Sequence, residues 1–213
     1  MLSKNFFLNF LFLALLLIPL TWDAMAEPSR NQVLPGERPE KNSSDPESEL
    51  KRLNDIIEAG KKSAIIFYNR GWIHEYKGDL DKAKEDYSQA IEIDGRYADA
   101  YYNRGLLFLR AKKYEEAIAD FSNVISLKPE SEDAYCNRGN AYYRLGKTDL
   151  ALKDYDIALK LNPKDPDLYY NRALAYLKKG DKPRAMANLQ IAARSGHKLA
   201  LKYLKRFNPI KKR

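Results

Sequence analysis

Arginine and aspartate recur in this sequence at one fixed distance, with the aspartate sixteen residues after the arginine. A guanidinium and a carboxylate bind each other through two parallel hydrogen bonds, and a partly buried guanidinium needs such a partner. We therefore predict a structural ion pair, either between the two helices of a hairpin or across neighbouring hairpins. The alternative is that the arginines form a row facing a ligand. The pairs are Arg70 and Asp86, Arg104 and Asp120, and Arg138 and Asp154.

An asparagine precedes each of these arginines and also precedes Arg172, for which Asn188 takes the place of the aspartate. Side-chain amides donate and accept hydrogen bonds, so they can pair with the backbone of an extended peptide. The same amides can instead bond between neighbouring helices, and both alternatives stay open. The asparagines are Asn69, Asn103, Asn137 and Asn171, and the residues before them are Tyr68, Tyr102, Cys136 and Tyr170.

The residue types needed for catalysis or metal binding are scarce. The chain has one cysteine, Cys136, and two histidines, His74 and His197, which lie far apart in the sequence. A single thiol forms no intramolecular disulfide, and no nucleophile–base motif, phosphate-binding loop or metal-ligand spacing is recognisable. We therefore predict that the protein is not an enzyme and has no cofactor, no metal and no small-molecule substrate.

The Asn-Arg pair recurs every 34 residues, and this period predicts a stack of helical hairpins rather than a closed globular core. Each unit reads as a first helix, a turn, a second helix and a closing Gly or Pro. Glycine in the turn suits a left-handed helix end, and Lys112 is the exception. The turn residues are Gly78, Lys112, Gly146 and Gly180. The units are 64–97, 98–131, 132–165 and 166–199.

This pattern resembles the tetratricopeptide repeat (TPR) family over roughly residues 64–199. The resemblance rests on the Gly or Ala after each Asn-Arg, the turn glycine, the closing Pro, and a ladder of small and large residues in the second helices. The ladder holds Ala83, Ala117, Ala151 and Ala185, followed by Tyr87, Phe121, Tyr155 and Leu189. The resemblance implies an all-α, right-handed α-solenoid of antiparallel helix pairs with capping helices at both ends.

In the resembled family, the first helices of the units line a concave groove that holds a peptide or protein partner. Of the positions that form a two-carboxylate clamp in some members, only Asn103 has the required residue type. We expect the three tyrosines of the row to be partly exposed in the groove. The groove residues carried over by position are Tyr68, Asn69, Trp72, Tyr102, Asn103, Leu106, Arg110, Asn137, Asn140, Arg144, Tyr170 and Asn171.

The N-terminal residues predict an export signal. An apolar run follows Lys4, and Ala24 and Ala26 are spaced as in a cleavage site, which indicates a secreted or periplasmic bacterial protein. The alternative is an uncleaved N-terminus that anchors the protein in a membrane. The predicted boundaries are a signal peptide at 1–26, a disordered linker at 27–44 and an N-terminal capping helix at 45–63.

Positive charge is concentrated at the C-terminal end. Residues 176–213 contain 12 Lys and Arg and one Asp, whereas residues 64–175 contain 17 basic and 19 acidic residues. A capping helix and basic tail are predicted at 200–213. This end is either a solvated cap or a surface attracted to an anionic envelope component. Nucleic acid is the weaker candidate, because no element that reads bases is recognisable.

Taken together, the sequence predicts an exported, non-catalytic TPR scaffold or adaptor with a peptide or protein partner in its concave groove. The alternative is an organiser of an assembly at the envelope surface. In that case the basic C-terminal helix or an N-terminal anchor holds the protein to the surface.

Overall fold

The computed structural model describes residues 45–207, and ten α-helices account for the regular structure in that range. They are α1 (Pro46–Glu58), α2 (Ala64–Lys77), α3 (Leu80–Ile93), α4 (Ala98–Arg110), α5 (Tyr114–Leu127), α6 (Glu132–Arg144), α7 (Thr148–Leu161), α8 (Pro166–Lys179), α9 (Lys182–Arg194) and α10 (Lys198–Phe207). The predicted signal peptide, the linker and residues 208–213 lie outside the described part of the chain.

Consecutive helices pack against each other, and the odd and even helices form two layers. The even-numbered helices α2 to α8 begin the four units, and α4 and α8 each also touch α6. The odd-numbered helices α3 to α9 form the second layer. Such a pile has one core between each pair of neighbouring units, so its two ends need covering. The helices α1 and α10 cover them, with Leu53 and Ala200 buried against the stack.

The two helices of a unit approach closely because a glycine on the first faces a ring on the second. A β-carbon added at Gly71 would lie 3.0 Å from the ring of Tyr87, and one added at Gly105 would lie 3.0 Å from Phe121. The fourth unit combines Ala173 with Leu189, and both are fully buried. The larger residue on one helix is therefore matched by a smaller one on the other.

The first helix of each unit ends in a left-handed turn. Gly78 and Gly180 adopt φ values of 87° and 83°, which carry no penalty for a residue without a β-carbon. In the second unit the same turn is made by Lys112 at φ 59°. Lysine at this position carries a local steric cost that the other three units avoid.

The described helices are all short, at 10 to 14 residues. Within residues 45–207, none of them combines the length and the apolar character that crossing a bilayer requires. The helix α10 begins at Lys198, two residues before the boundary expected from the sequence.

Candidate partner-binding surface

Each predicted arginine–aspartate pair is a two-bond contact between the first and second helices of one unit. Arg104 donates Nε to Asp120 Oδ2 at 2.9 Å and Nη2 to Oδ1 at 2.7 Å. Arg70 with Asp86 and Arg138 with Asp154 have the same geometry. The aspartates are buried, so the carboxylate charge is compensated within the unit rather than offered to a ligand.

The same guanidinium groups also reach back to the preceding unit, which the sequence reasoning missed. Nη1 of Arg104 donates to Ser88 Oγ at 3.0 Å, sixteen residues earlier in the chain. Each arginine thus ties its own helix to the second helix of its own unit and to the helix before. The acceptors of this backward bond are Asn54, Ser88, Ser122 and Asp156. The signal was the constant spacing of −16, hidden by the small and variable residue types.

In the fourth unit, the arginine charge is compensated although the usual aspartate is missing. Arg172 donates Nε to the Asn188 side-chain oxygen at 2.9 Å, and this amide carries no charge. Nη1 of Arg172 donates to Asp156 Oδ1 at 2.7 Å. The counter-charge of the fourth arginine therefore comes from the preceding unit.

The prediction that Tyr68, Tyr102 and Tyr170 are partly exposed is wrong, because their exposed fractions are 5%, 5% and 3%. The first helix of the following unit, or α10 in the case of Tyr170, covers each ring. The Tyr68 ring lies 5.1 Å from that of Tyr97, and the Tyr170 ring lies 4.2 Å from that of His197. Burial raises the pKa of Tyr68 well above its usual value and that of Tyr170 to about 12.

The asparagine row is used between neighbouring units. Asn103 donates Nδ2 to the Tyr68 hydroxyl at 3.1 Å, and Asn137 donates to the Tyr102 hydroxyl at the same distance. At the next step Asn171 donates to the sulfur of Cys136 at 3.8 Å. We call this series the Tyr–Asn ladder. A row that spends its amide donors on tyrosine oxygens has fewer left for the backbone of a peptide.

The two ends of the ladder keep unused polar atoms. Among the described residues, Asn69 Oδ1 and the Tyr170 hydroxyl are buried and have no hydrogen-bond partner. Tyr170 belongs to the last unit, so within residues 45–207 no asparagine of a following unit donates to its hydroxyl. The sequence position that follows Tyr170 by 35 residues holds Lys205, not asparagine.

The accessible residues of the first helices lie on one face, where they form an aromatic pair and two charged rows. Trp72 and Tyr76 stack with their ring centres 5.9 Å apart and their planes 15° from parallel, and 70% of Tyr76 is exposed. We call this pair the aromatic platform. Leu106 is partly buried, and Asn140 accepts a bond from the Tyr155 hydroxyl at 2.8 Å.

Two rows of opposite charge run along the margins of this face. Each basic residue follows an aspartate of the same helix by eleven residues, which is three turns and a rise of about 16 Å. The two therefore lie on the same face, near opposite ends of the helix. We call Asp99, Asp133 and Asp167 the acidic margin, and Arg110, Arg144 and Lys178 the basic margin. The first unit has Ile65 and Tyr76 at these positions.

The acidic margin is compensated in part within the protein. Asp99 accepts a bond from Lys128 Nζ at 2.7 Å, and Asp167 lies 3.3 Å from His197 Nε2. Burial, reinforced by the neighbouring Glu132 and Asp165, raises the pKa of Asp133 to about 6.

The basic margin stays accessible. The Arg110 side chain is half exposed and is held 3.2 Å from Glu75 Oε1. Lys178 donates to the main-chain oxygen of Tyr143 and lies 4.6 Å from the centre of the Tyr143 ring. These contacts orient Lys178 without neutralising it. Arg144 is less accessible than the other two, because its Nε and Nη2 atoms are buried.

The remaining candidate residues for chemistry are Cys136 and His74. Within residues 45–207 no group of three His, Cys, Asp or Glu side chains is arranged to hold a metal ion. Burial raises the pKa of the Cys136 thiol, which disfavours the reactive thiolate. His74 is buried, and burial lowers its pKa.

A family model described as TPR repeat matches three overlapping stretches, at residues 75–112, 109–146 and 139–180. The chain belongs to the tetratricopeptide repeat family. These matches and the described helices confirm the predicted fold, an all-α solenoid of antiparallel helix pairs in a right-handed superhelix.

Solved structures with the same TPR architecture include several of MamA. One MamA crystal structure aligns with a TM-score of 0.68 at 23% identity and covers 74% of this chain and 92% of its own. A second has a TM-score of 0.67 at 21% identity and covers 78% and 87%. At such identities the likeness establishes the fold. Among curated protein sequences, none matches this chain.

Proposed function

We propose that this TPR protein is an exported, non-catalytic scaffold that holds a peptide segment of a protein partner in its concave groove. The TPR repeats and the likeness to MamA support a protein-interaction scaffold. The observation that supports the groove is that some residues of the first helices are used in contacts within the stack and others remain accessible. Their tyrosines and most of their asparagine donors make contacts inside the stack, while the aromatic platform and the basic margin are exposed to solvent.

The groove is tested by placing a photoreactive amino acid at one inner position and at one outer position. Leu106 is partly buried on α4, one turn before Arg110, and Ile93 is an exposed apolar residue at the end of α3. In envelope extracts, the protein substituted at Leu106 is expected to capture a partner that the protein substituted at Ile93 does not. Capture from Ile93 alone would contradict the groove.

Export is part of the proposal, and the Ala24-Met25-Ala26 stretch supports it. Cells that express the full chain should contain a mature form that begins at Glu27. N-terminal sequencing of the periplasmic or secreted fraction measures this. An intact N-terminus found only with membranes would favour the anchored alternative instead.

A second candidate role is attachment to an anionic envelope surface through α10. This helix turns Lys198, Lys202 and Lys205 outwards, and Leu201 is exposed among them. Lysines near an anionic bilayer each contribute about 1 kcal/mol of attraction, and an exposed leucine adds apolar contact. In this role the stack organises an assembly at the surface while its groove stays open.

Vesicle sedimentation tests the second role with the full protein. Binding to vesicles that contain phosphatidylglycerol, lost in high salt and absent with pure phosphatidylcholine, is expected if α10 docks there. Replacing Lys198, Lys202 and Lys205 by Glu should abolish it. The same replacement at Lys82, Lys84 and Lys153, on the second helices, is the matched control and should not.

A further inference from the structure

The aromatic platform is an unusual surface for a water-exposed helix. Trp72 and Tyr76 lie one turn apart on α2 and stack on each other, so two large rings are held in one orientation. Rings held rigidly lose little conformational entropy when they bind, and Trp and Tyr are enriched among residues that dominate binding energy. Ile65, also exposed, extends the apolar strip towards the start of α2.

A positioned cation stands next to the platform. Arg110 occupies on α4 the position that Tyr76 occupies on α2, 34 residues earlier. The two residues are therefore neighbours in the layer of even-numbered helices. Glu75 fixes the Arg110 guanidinium at 3.2 Å, and the Tyr87 hydroxyl in turn holds Glu75 at 2.9 Å. A large apolar contact is thereby combined with an oriented charge.

The face that carries the aromatic platform and the two margins changes from apolar to charged along the stack. The first unit presents Ile65, Trp72 and Tyr76, all apolar or aromatic, whereas each later unit presents an aspartate at one margin and a basic residue at the other. Lys128 compensates Asp99, whose side chain is 14% exposed, and burial raises the pKa of Asp133 to about 6. Arg110, whose side chain is 50% exposed, and the exposed Lys178 are therefore more accessible to a partner than Asp99 and Asp133.

We infer that the groove takes an extended acidic segment that carries one large apolar side chain. This inference rests on the proposed function and names its partner by chemistry. The apolar side chain lies on the aromatic platform, and the carboxylates that follow it face Arg110, Arg144 and Lys178. An unfolded segment suits the site, because it can lie across α2, α4, α6 and α8 and reach both the aromatic platform and the basic margin.

Dye-labelled peptides in a Gly/Ser background measure this preference by fluorescence anisotropy. One peptide carries a Phe and several Glu, a second replaces Phe by Ala, and a third replaces Glu by Lys. The Phe/Glu peptide is expected to bind, and either replacement should weaken it about 10-fold or more. Equal binding of all three peptides, or no binding of the first, would overturn the inference.

Protein variants locate the binding site. The double change Trp72→Ala and Tyr76→Ala should weaken the Phe/Glu peptide about 10-fold. The control is the double change Ile93→Ala and Leu161→Ala, which removes exposed apolar surface from α3 and α7. This control should bind the Phe/Glu peptide with unchanged affinity. Lys178→Glu should weaken the Phe/Glu peptide, and Lys82→Glu should not. In the mature form that begins at Glu27, Trp72 is the remaining tryptophan and its emission should change on titration.

The outcomes separate this inference from the scaffold function. If a partner captured from Leu106 is crosslinked through a basic segment, or through one without a large apolar residue, the inference is wrong and the scaffold stands. If the platform variant binds the Phe/Glu peptide as well as the unchanged protein does, the inference is also wrong. Capture from Ile93 alone would contradict the groove, and with it the proposed function as well as this inference.

Discussion

Asn103 on α4 donates its side-chain amide to the hydroxyl of Tyr68 on α2 at 3.1 Å, and both side chains are buried between the first two units. A Tyr68→Phe change keeps the ring and removes the acceptor. Leaving a buried amide donor without its partner costs about 1–3 kcal/mol. We expect a loss of that size in the free energy of unfolding, measured by chemical denaturation.

The control for this change is Tyr76→Phe, since the Tyr76 side chain is mostly exposed and water replaces any lost contact. Its effect should stay within about 0.5 kcal/mol. Equal effects at the two tyrosines would mean that the ladder bond adds nothing to the joint between units.

Removing the carboxylate of Asp120 should destabilise the stack strongly. Asp120→Ala leaves the Arg104 guanidinium in a half-buried position without the two bonds that compensate its charge. Breaking one partner of a buried pair costs about 3–5 kcal/mol. A thermal or denaturant melt measures the loss.

Asp156→Ala supplies the comparison, because Asp156 is about half exposed and makes a single bond to Arg172. Exposed ion pairs contribute about 1 kcal/mol or less. A larger loss at Asp156 than at Asp120 would show that burial does not set the strength of these pairs.

The match between glycine and ring predicts a compensating pair of substitutions in the second unit. Gly105→Ala places a methyl group 3.0 Å from the Phe121 ring and should destabilise by about 1–3 kcal/mol through overpacking. Adding Phe121→Leu reproduces the Ala173 and Leu189 combination of the fourth unit.

The double variant should therefore be more stable than the sum of the two single changes implies, by about 1 kcal/mol in a double-mutant cycle. Strict additivity in denaturant unfolding would contradict direct contact as the cause.

The start of α10 should be sensitive to pH through His197. The Ala200 N–H donates to His197 Nδ1 at 3.0 Å, so this nitrogen must be unprotonated, and Nε2 faces Asp167. Burial of the ring lowers the pKa of His197, although Asp167 and Asp165 oppose this shift. The Tyr170 ring stacks on the imidazole and does not titrate in the same range.

Because the unfolded chain takes up the proton more readily, this contribution is complete above about pH 6.5 and is lost as the pH falls towards the lowered pKa. His197→Asn keeps a hydrogen-bond acceptor but does not titrate. Between pH 7 and 5 the unchanged protein should therefore lose more stability than the variant. Parallel pH dependences would rule out His197 as the cause.

The periodic part of the structure was predictable from the sequence. The recurrence of Asn-Arg gave the helical hairpins, and the spacing of sixteen gave the acceptors Asp86, Asp120 and Asp154, because both depend on contacts within one unit. The position of Tyr68 was not predictable in the same way. A helix pattern shows which face of α2 a residue occupies, but the cover over that face comes from α4.

The backward acceptors of the arginines were missed for a related reason. Ser88 and Ser122 are small polar residues that also suit a solvated helix surface, so their role appears only when the preceding unit is in place. The difference in accessibility between the acidic and basic margins likewise depends on the contact of Asp99 with Lys128, which comes from another helix.

The arginine contacts on both sides make the joints between units interchangeable. If residues 98–131 were excised, Arg138 would meet Ser88 where it now meets Ser122, and Asn137 would meet Tyr68 where it now meets Tyr102. The same bonding groups would face each other at the new seam. A gene encoding this protein can thus lose or duplicate this 34-residue module, changing the length of the stack while the new seam keeps its bonding groups.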